Sequence, residues 1–228
     1  EDNAHGLFGS YQDRPLGSFG RFSTLSFHET KNFISGEGGA LIVNEPADIE
    51  RAHVIFDKGT NRRQFMLGQV DKYSWQDVGS SFGMSDLLAA FLLAQLEERD
   101  HILAARAGII GRYVENLSPH TNRLGFQLPI VPDDRGSAHH MFYVLLPDRD
   151  VRDSVLLALE AQNIKAAFHY VPLHSSTAGR RFSDRTHECP VSDQISGTLL
   201  RLPLYNDLTS EMVDRVSASF LDAVAAAT

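Results

Sequence analysis

Lys31 is the residue with the clearest chemical potential. It follows Phe27-His28-Glu29-Thr30, precedes Asn32, and stands five residues ahead of Gly36-Glu37-Gly38-Gly39. The plain reading of such a lysine is a solvated surface charge. In a desolvated crevice, however, its pKa falls and the amine becomes a nucleophile able to form an imine with a carbonyl. A second polar cluster opens the chain as Glu1-Asp2-Asn3-Ala4-His5-Gly6. It reads either as a solvated turn or as the end of a parallel strand, where α/β folds place ligand-binding groups such as Asp2. The glycines around Glu37 are in the wrong order for a GxGxxG cradle and precede a strand, so a tight turn is expected there. His139-His140 and the pair His169 and His174 raise the question of metal. Pro172 separates the latter two and no carboxylate stands at ligand spacing, so no metal site is expected.

The elements that must position these residues are α/β in pattern. Phe22 to Phe27 reads as a strand after the turn Gly17-Ser18-Phe19-Gly20, and Ala40 to Val43 as a second strand bounded by Asn44-Glu45-Pro46. Pro46 suits the first turn of a helix from Ala47 to about Lys58. Gly59 to Ser81 shows little periodicity, and a loop this long in a compact chain is usually functional or partner-facing. Leu87, Ala90, Phe91, Ala94, Leu96, Ile102 and Ala105 recur at helical spacing. They predict a long, interrupted helix from Ser85-Asp86 to about Leu117, where Ser118-Pro119 stops it. Beyond it the pattern predicts strand Met141 to Leu146, helix Arg152 to Gln162, strand Ala166 to Tyr170, helix Ser192 to Leu200 and helix Ser210 to Ala226. The division expected is a first domain over residues 1–117 and a small α/β domain over 118–228.

Composition narrows the function classes. The 228 residues carry 29 Asp plus Glu against 21 Lys plus Arg, a net charge of -8 without a basic block. That argues against a nucleic-acid platform or a binder of anionic membranes. No apolar run approaches the roughly 18 residues of a membrane span. Cys189 is the sole cysteine, which excludes an internal disulfide and suits a reducing cytoplasm. The sequence starts at Glu1 without Met or a targeting segment and reads as one entered at its middle.

Taken in order, the motifs resemble a known family. Glu1 to His5, Ser26 to Asn32, Gly36 to Ala40, Gly79 to Asp86, His169 to His174 and Arg201 to Tyr205 are similar to the DegT/DnrJ/EryC1/StrS aminotransferases. These are pyridoxal-phosphate (PLP) dependent enzymes that act on nucleotide-linked sugars. The resemblance covers essentially the whole sequence. It implies fold type I, with a truncated large-domain sheet followed by a small C-terminal α/β domain. It further implies that Lys31 holds PLP as an imine and then moves a proton between substrate and cofactor. Asp2 would pair with the pyridine nitrogen, His5 would contact the ring's 3-oxygen, and Ser26 would donate to the phosphate. Ser81 takes the place of an Asn that in many relatives reaches the phosphate across a dimer interface; a hydroxyl can make the same donation. The implied partners are a nucleotide-linked 4-keto-6-deoxyhexose, glutamate as amino donor, and a second copy sharing the active site. Family members also have a large N-terminal part, with a phosphate-binding loop and a ring stacked on the cofactor. This chain lacks it. The chain alone is therefore expected to be inactive, either as a portion of such an enzyme or as a non-catalytic remnant of one.

Overall fold

The computed structural model describes residues 1–183 and 188–228. It divides the chain into two compact units, Glu1–Asp100 with Pro132–His140, and His101–Val131 with Met141–Thr228.

In the first unit, β1 (Ser10–Tyr11) pairs antiparallel with β2 (Arg14–Pro15). Strands β3 (Phe22–Ser26) and β4 (Gly39–Val43) form an antiparallel pair from Phe22↔Val43 to Ser26↔Gly39. The chain start lies on the other edge of β3 in parallel sense: Asp2 is opposite Thr24, Thr24 N–H donates to Glu1 O, and Asn3 N–H donates to Thr24 O. Strand β5 (Arg135–Gly136) joins β1 antiparallel, tying the 132–140 segment into this unit. The helix predicted from Ala47 is a 3-10 turn, Pro46–Asp48, leading into α1 (Ile49–Phe56).

The 59–81 segment is more ordered than its polarity suggested. It contains the short helix α2 (Arg62–Met66) and is closed by antiparallel bridges between Asp57 and Ser81 and between Thr60 and Trp75. Gly59 is why the closure works. Its φ is +71°, and a Cβ there would stand 1.8 Å from Asp77 O. A side chain at this position meets both a disfavoured backbone region and a backbone clash.

Ser85 caps α3 (Asp86–Glu97), its hydroxyl accepting from Leu88 N–H at 3.4 Å. The long helix expected up to Leu117 is in fact two, α3 and α4 (Arg99–Leu117), which part at Glu98. Helix α4 supplies Ile109, Tyr113 and Leu117 to the core of the second unit.

That core is the best-packed part of the described chain. The unit comprises, after α4, α5 (Thr121–Leu124), β6 (Phe142–Leu145), α6 (Arg149–Ala161), β7 (Ala167–Phe168), α7 (Thr177–Phe182), α8 (Pro190–Thr198), β8 (Leu199–Leu202) and α9 (Ser210–Ala227). The sheet order is β6-β8-β7, with β8 antiparallel to both neighbours. Sequence patterning ran the eighth helix on to Leu200. Instead Leu199–Leu202 is the central strand, because Leu199, Leu200 and Leu202 are all buried there between helices and flanking strands. A strand covered on both faces loses the alternation that identifies strands in sequence. Tyr113 stacks on Phe142 at 4.7 Å and donates its hydroxyl to Pro203 O at 3.0 Å. Phe126 meets Phe220 edge-on at 5.1 Å.

Candidate active site

Of the five residues singled out in the sequence, Ser26 and Lys31 lie on one stretch of backbone and Asp2 pairs beside it. In a parallel pairing, directly opposed residues share a face of the pleat, and so do residues two apart on one strand. Asp2 opposes Thr24, and Ser26 stands two residues beyond Thr24, so Asp2, Thr24 and Ser26 project from the same face. Ser23, pointing the other way, is fully buried, whereas Asp2 and Thr24 are exposed. Strand β3 thus presents an open polar face that ends at Ser26, and the chain then turns into the Lys31 segment.

Glu1 fixes the chain start against this sheet. Its carboxylate accepts from Gly17 N–H at 2.7 Å and from Phe19 N–H at 3.2 Å. The Gly17 bond above all holds the carboxyl below the usual carboxylate range. Asp2 uses Oδ1 to accept from Ala4 N–H at 3.1 Å. That turn fixes the backbone and leaves the second carboxylate oxygen for another donor.

Lys31 is half-buried and sits at the end of a tight turn whose Lys31 N–H donates to His28 O at 2.9 Å. Neighbouring backbone is laced to the glycine run: Phe27 N–H donates to Gly38 O, Glu29 N–H to Gly36 O, and Ser35 N–H to Phe27 O. Gly36 takes φ +82°, a left-handed conformation that suits glycine, and pairs with His28 in a parallel bridge. Beyond Lys31, buried Asn32 donates through Nδ2 to Ala138 O at 2.9 Å. Gln95 of α3 then satisfies both backbone groups of Ile34, accepting from its N–H at 3.1 Å and donating to its O at 2.6 Å. The lysine's turn is held from several sides by polar contacts that cross long stretches of sequence.

The other two predicted residues are placed differently. His5 is exposed, and its ring stacks on His140 at 4.2 Å between centroids. His140 was examined in the sequence only as a possible metal ligand, and nothing in its spacing pointed to His5, 135 positions away. Ser81 is exposed on the closed 57–81 loop, bridged to Asp57 rather than to the β3 face. His28 and Glu37 are also missed by reasoning from residue roles. The signal available was the His-x-Thr spacing, which lets a side chain reach a backbone N–H two residues on. His174 accompanies Asp193, with Nε2 and Oδ2 3.2 Å apart, rather than His169. Among the described residues there is no cluster of three or more His, Cys, Asp or Glu able to hold a metal ion. Nor, among them, is any helix long and apolar enough to cross a membrane.

The donor set fits the cofactor that the resemblance implies. A pyridinium N–H calls for a carboxylate with a free oxygen, which Asp2 has. A phosphate calls for hydroxyl or N–H donors. Ser26 Oγ accepts from His28 N–H at 3.5 Å, so its own proton remains to be donated outward. A carbonyl calls for an amine on a defined backbone, which the His28–Lys31 turn provides.

Comparison with known proteins shows the family. The model of the DegT/DnrJ/EryC1/StrS aminotransferase family matches residues 1–221. Among individual proteins, the chain is similar to the spore coat polysaccharide biosynthesis protein SpsC of Bacillus subtilis. The two are 28% identical over 232 residues, covering 98% of this chain and 59% of SpsC. Among solved structures it superposes on Spr1654 from Streptococcus pneumoniae in its PLP form, with a TM-score of 0.86 at 22% identity over 100% of this chain and 57% of that one. It also superposes on Helicobacter pylori PseC, an aminotransferase of pseudoaminic acid biosynthesis. There the TM-score is 0.86 at 21% identity, covering 99% of this chain and 59% of that one. At these identities the structural likeness establishes the fold, that of PLP-dependent aminotransferases of type I. The chain spans less than two thirds of the length of each of these relatives.

Proposed function

The chain belongs to the DegT/DnrJ/EryC1/StrS aminotransferase family, and from that membership we propose that the protein is a PLP-dependent aminotransferase acting on a nucleotide-linked keto sugar. The observation that carries this reading is the shared open face of Asp2 and Ser26 on a strand that runs directly into the Lys31 turn. A carboxylate, a hydroxyl donor and an amine are the groups such a cofactor needs at its ring nitrogen, its phosphate and its aldehyde.

When bound, PLP supplies an electron sink for the substrate carbon that loses or gains a proton. The chain's own residues do the rest. Asp2 would pair with the ring nitrogen and favour its protonated form, and His5 would contact the ring's oxygen. Ser26 anchors the phosphate end. Lys31 would hold the cofactor through its amine and would serve as the base, then the acid, that moves a proton at the reacting carbon. Ser81 would donate to the phosphate from a second copy, so the working unit proposed is a homodimer.

The wording Phe27 to Asn32, Lys58 to Arg62, Gly68 to Tyr73 and Asp77 to Ser81 resembles the dTDP-4-amino-4,6-dideoxygalactose transaminase of enterobacterial common antigen synthesis. The substrate proposed is therefore dTDP-4-keto-6-deoxyglucose, with glutamate as amino donor, in the making of a surface polysaccharide. The polysaccharide role of SpsC supports that setting.

Two measurements test the proposal. Borohydride reduction of the complete protein in the presence of PLP is expected to fix the label on Lys31, and Lys31→Ala to abolish it. Recovery of the label on Lys58 or Lys72 would remove Lys31 from the mechanism. Glutamate-dependent amination assayed on dTDP-4-keto-6-deoxyglucose and on other keto-sugar nucleotides then fixes the substrate, and turnover confined to a different sugar overturns the finer assignment.

A further inference from the structure

We propose that His28 is a positioning residue for Lys31, its two ring nitrogens fastening the lysine's turn to the glycine run that faces it. The inference rests on reading Lys31 as the reacting amine. Its premises are geometric.

Thr30 N–H donates to His28 Nδ1 at 3.2 Å, and Thr30 Oγ1 lies 3.0 Å from the same nitrogen. A side chain that accepts from the N–H two residues ahead closes a small ring of its own, as Asn and Asp do in Asx turns. Here that ring lies inside the backbone turn closed by Lys31 N–H and His28 O. The two bonds fix successive peptide units immediately before the Lys31 Cα, so the direction in which its side chain leaves is set by His28 twice, through the ring and through the carbonyl.

An Asn at this position could supply the Nδ1 contact and no more. The imidazole has a second nitrogen, and Nε2 lies 3.6 Å from Glu37 Oε1. With Nδ1 used as an acceptor, Nε2 is the ring nitrogen left to donate, and it lies on the side of that carboxylate. Glu37 belongs to the run whose backbone already binds Phe27, Glu29 and Ser35. The ring therefore bridges the turn and the run that returns beside it. His28 itself is held from below, since its N–H donates to Ser26 Oγ. Phosphate anchor, ring and lysine are consecutive links of one hydrogen-bonded segment.

The test uses the 228-residue chain and needs no turnover. Amide hydrogen exchange reports the Thr30 N–H. Competitive trace acetylation reports the Lys31 amine against Lys58 and Lys72, which stand outside the turn. His28→Ala is expected to speed Thr30 exchange at least about tenfold and to change Lys31 labelling several-fold, with Lys58 and Lys72 unchanged. His28→Asn is expected to restore Thr30 protection and most of the Lys31 reactivity, a rescue that a purely space-filling ring would not show. Glu37→Gln, which leaves the turn's own bonds intact, separates the Nε2 contact and is expected to give a smaller change of the same sign at Lys31 alone. Unchanged Lys31 labelling in His28→Ala, or a change shared equally by all three lysines, overturns the proposal. Absence of PLP fixation at Lys31 in the complete protein would instead sink the functional reading, so the two failures are distinguishable.

Discussion

Asp2 and Lys31 divide the proposed chemistry between a charge that holds and an amine that moves. Asp2→Asn keeps the shape and the contact with Ala4 N–H but removes the charge that stabilises a protonated ring nitrogen. One pKa unit corresponds to about 1.4 kcal/mol, and a paired carboxylate supplies more than one unit. PLP should therefore still bind to Asp2→Asn in the full-length enzyme, while turnover falls by at least about tenfold. Near-normal turnover would take Asp2 out of the mechanism. At this scale the sequence was legible where motifs stand close together, as from Ser26 to Asn32. It was not legible where partners come from afar: Ala138 accepts from Asn32 across 106 positions and His140 stacks on His5. No local spacing encodes such a pair.

Elements carry these residues, and the informative one is the 57–81 loop. Its polarity suggested an open, irregular segment, yet two antiparallel bridges and a glycine at φ +71° close it. Lys58 N–H donates to Ser80 O and Phe82 N–H to Phe56 O, so Ser81 is held on a framed edge. Gly59→Ala forces a Cβ to within 1.8 Å of Asp77 O at a backbone angle that alanine disfavours. Left-handed strain alone costs about 1–2 kcal/mol, and the backbone clash adds to it. The expected outcome is a lower melting temperature together with faster amide exchange at Phe82 and Lys58. A variant with unaltered exchange there would show that the loop closes without Gly59. Strands and helices with clear periodicity, such as β3 and α9, were legible in the sequence. Strand β8 was not, because its burial on both sides erases the period of two.

Across the whole molecule the two units differ sharply in how much apolar surface they cover. The second unit buries a continuous cluster from Ile109 to Val224. In the first, α3 buries only Leu92, while Leu87, Phe91 and Leu93 are exposed at 84%, 54% and 56%. Stability should therefore be uneven along the chain, with the second unit the more resistant. Its polar seal is a contact between α4 and α9. Arg112 donates through Nε and Nη2 to the two carboxylate oxygens of Asp214 at 2.8 and 2.9 Å, and Asn116 Nδ2 donates to the same carboxylate at 2.8 Å. These bonds, Arg112 first, lower the Asp214 pKa from 3.8 to about 2 and raise that of Arg112. A carboxylate with a depressed folded pKa adds stability above its unfolded pKa and loses it as pH falls through the folded value. The α4–α9 contribution is thus complete above about pH 4 and fades towards pH 2. Both side chains are well exposed, so screening keeps the contribution modest and makes it weaker at high salt. Asp214→Asn should lower the second unit's unfolding midpoint at neutral pH. The gap between variant and wild type should then close as pH falls from about 4 to 2, because protonation abolishes the charge that the substitution removes. Urea titrations followed by amide exchange in β6, β8 and α9 would measure it. A gap that stays constant down to pH 2 would assign the stabilisation to packing around residue 214 instead of to its charge.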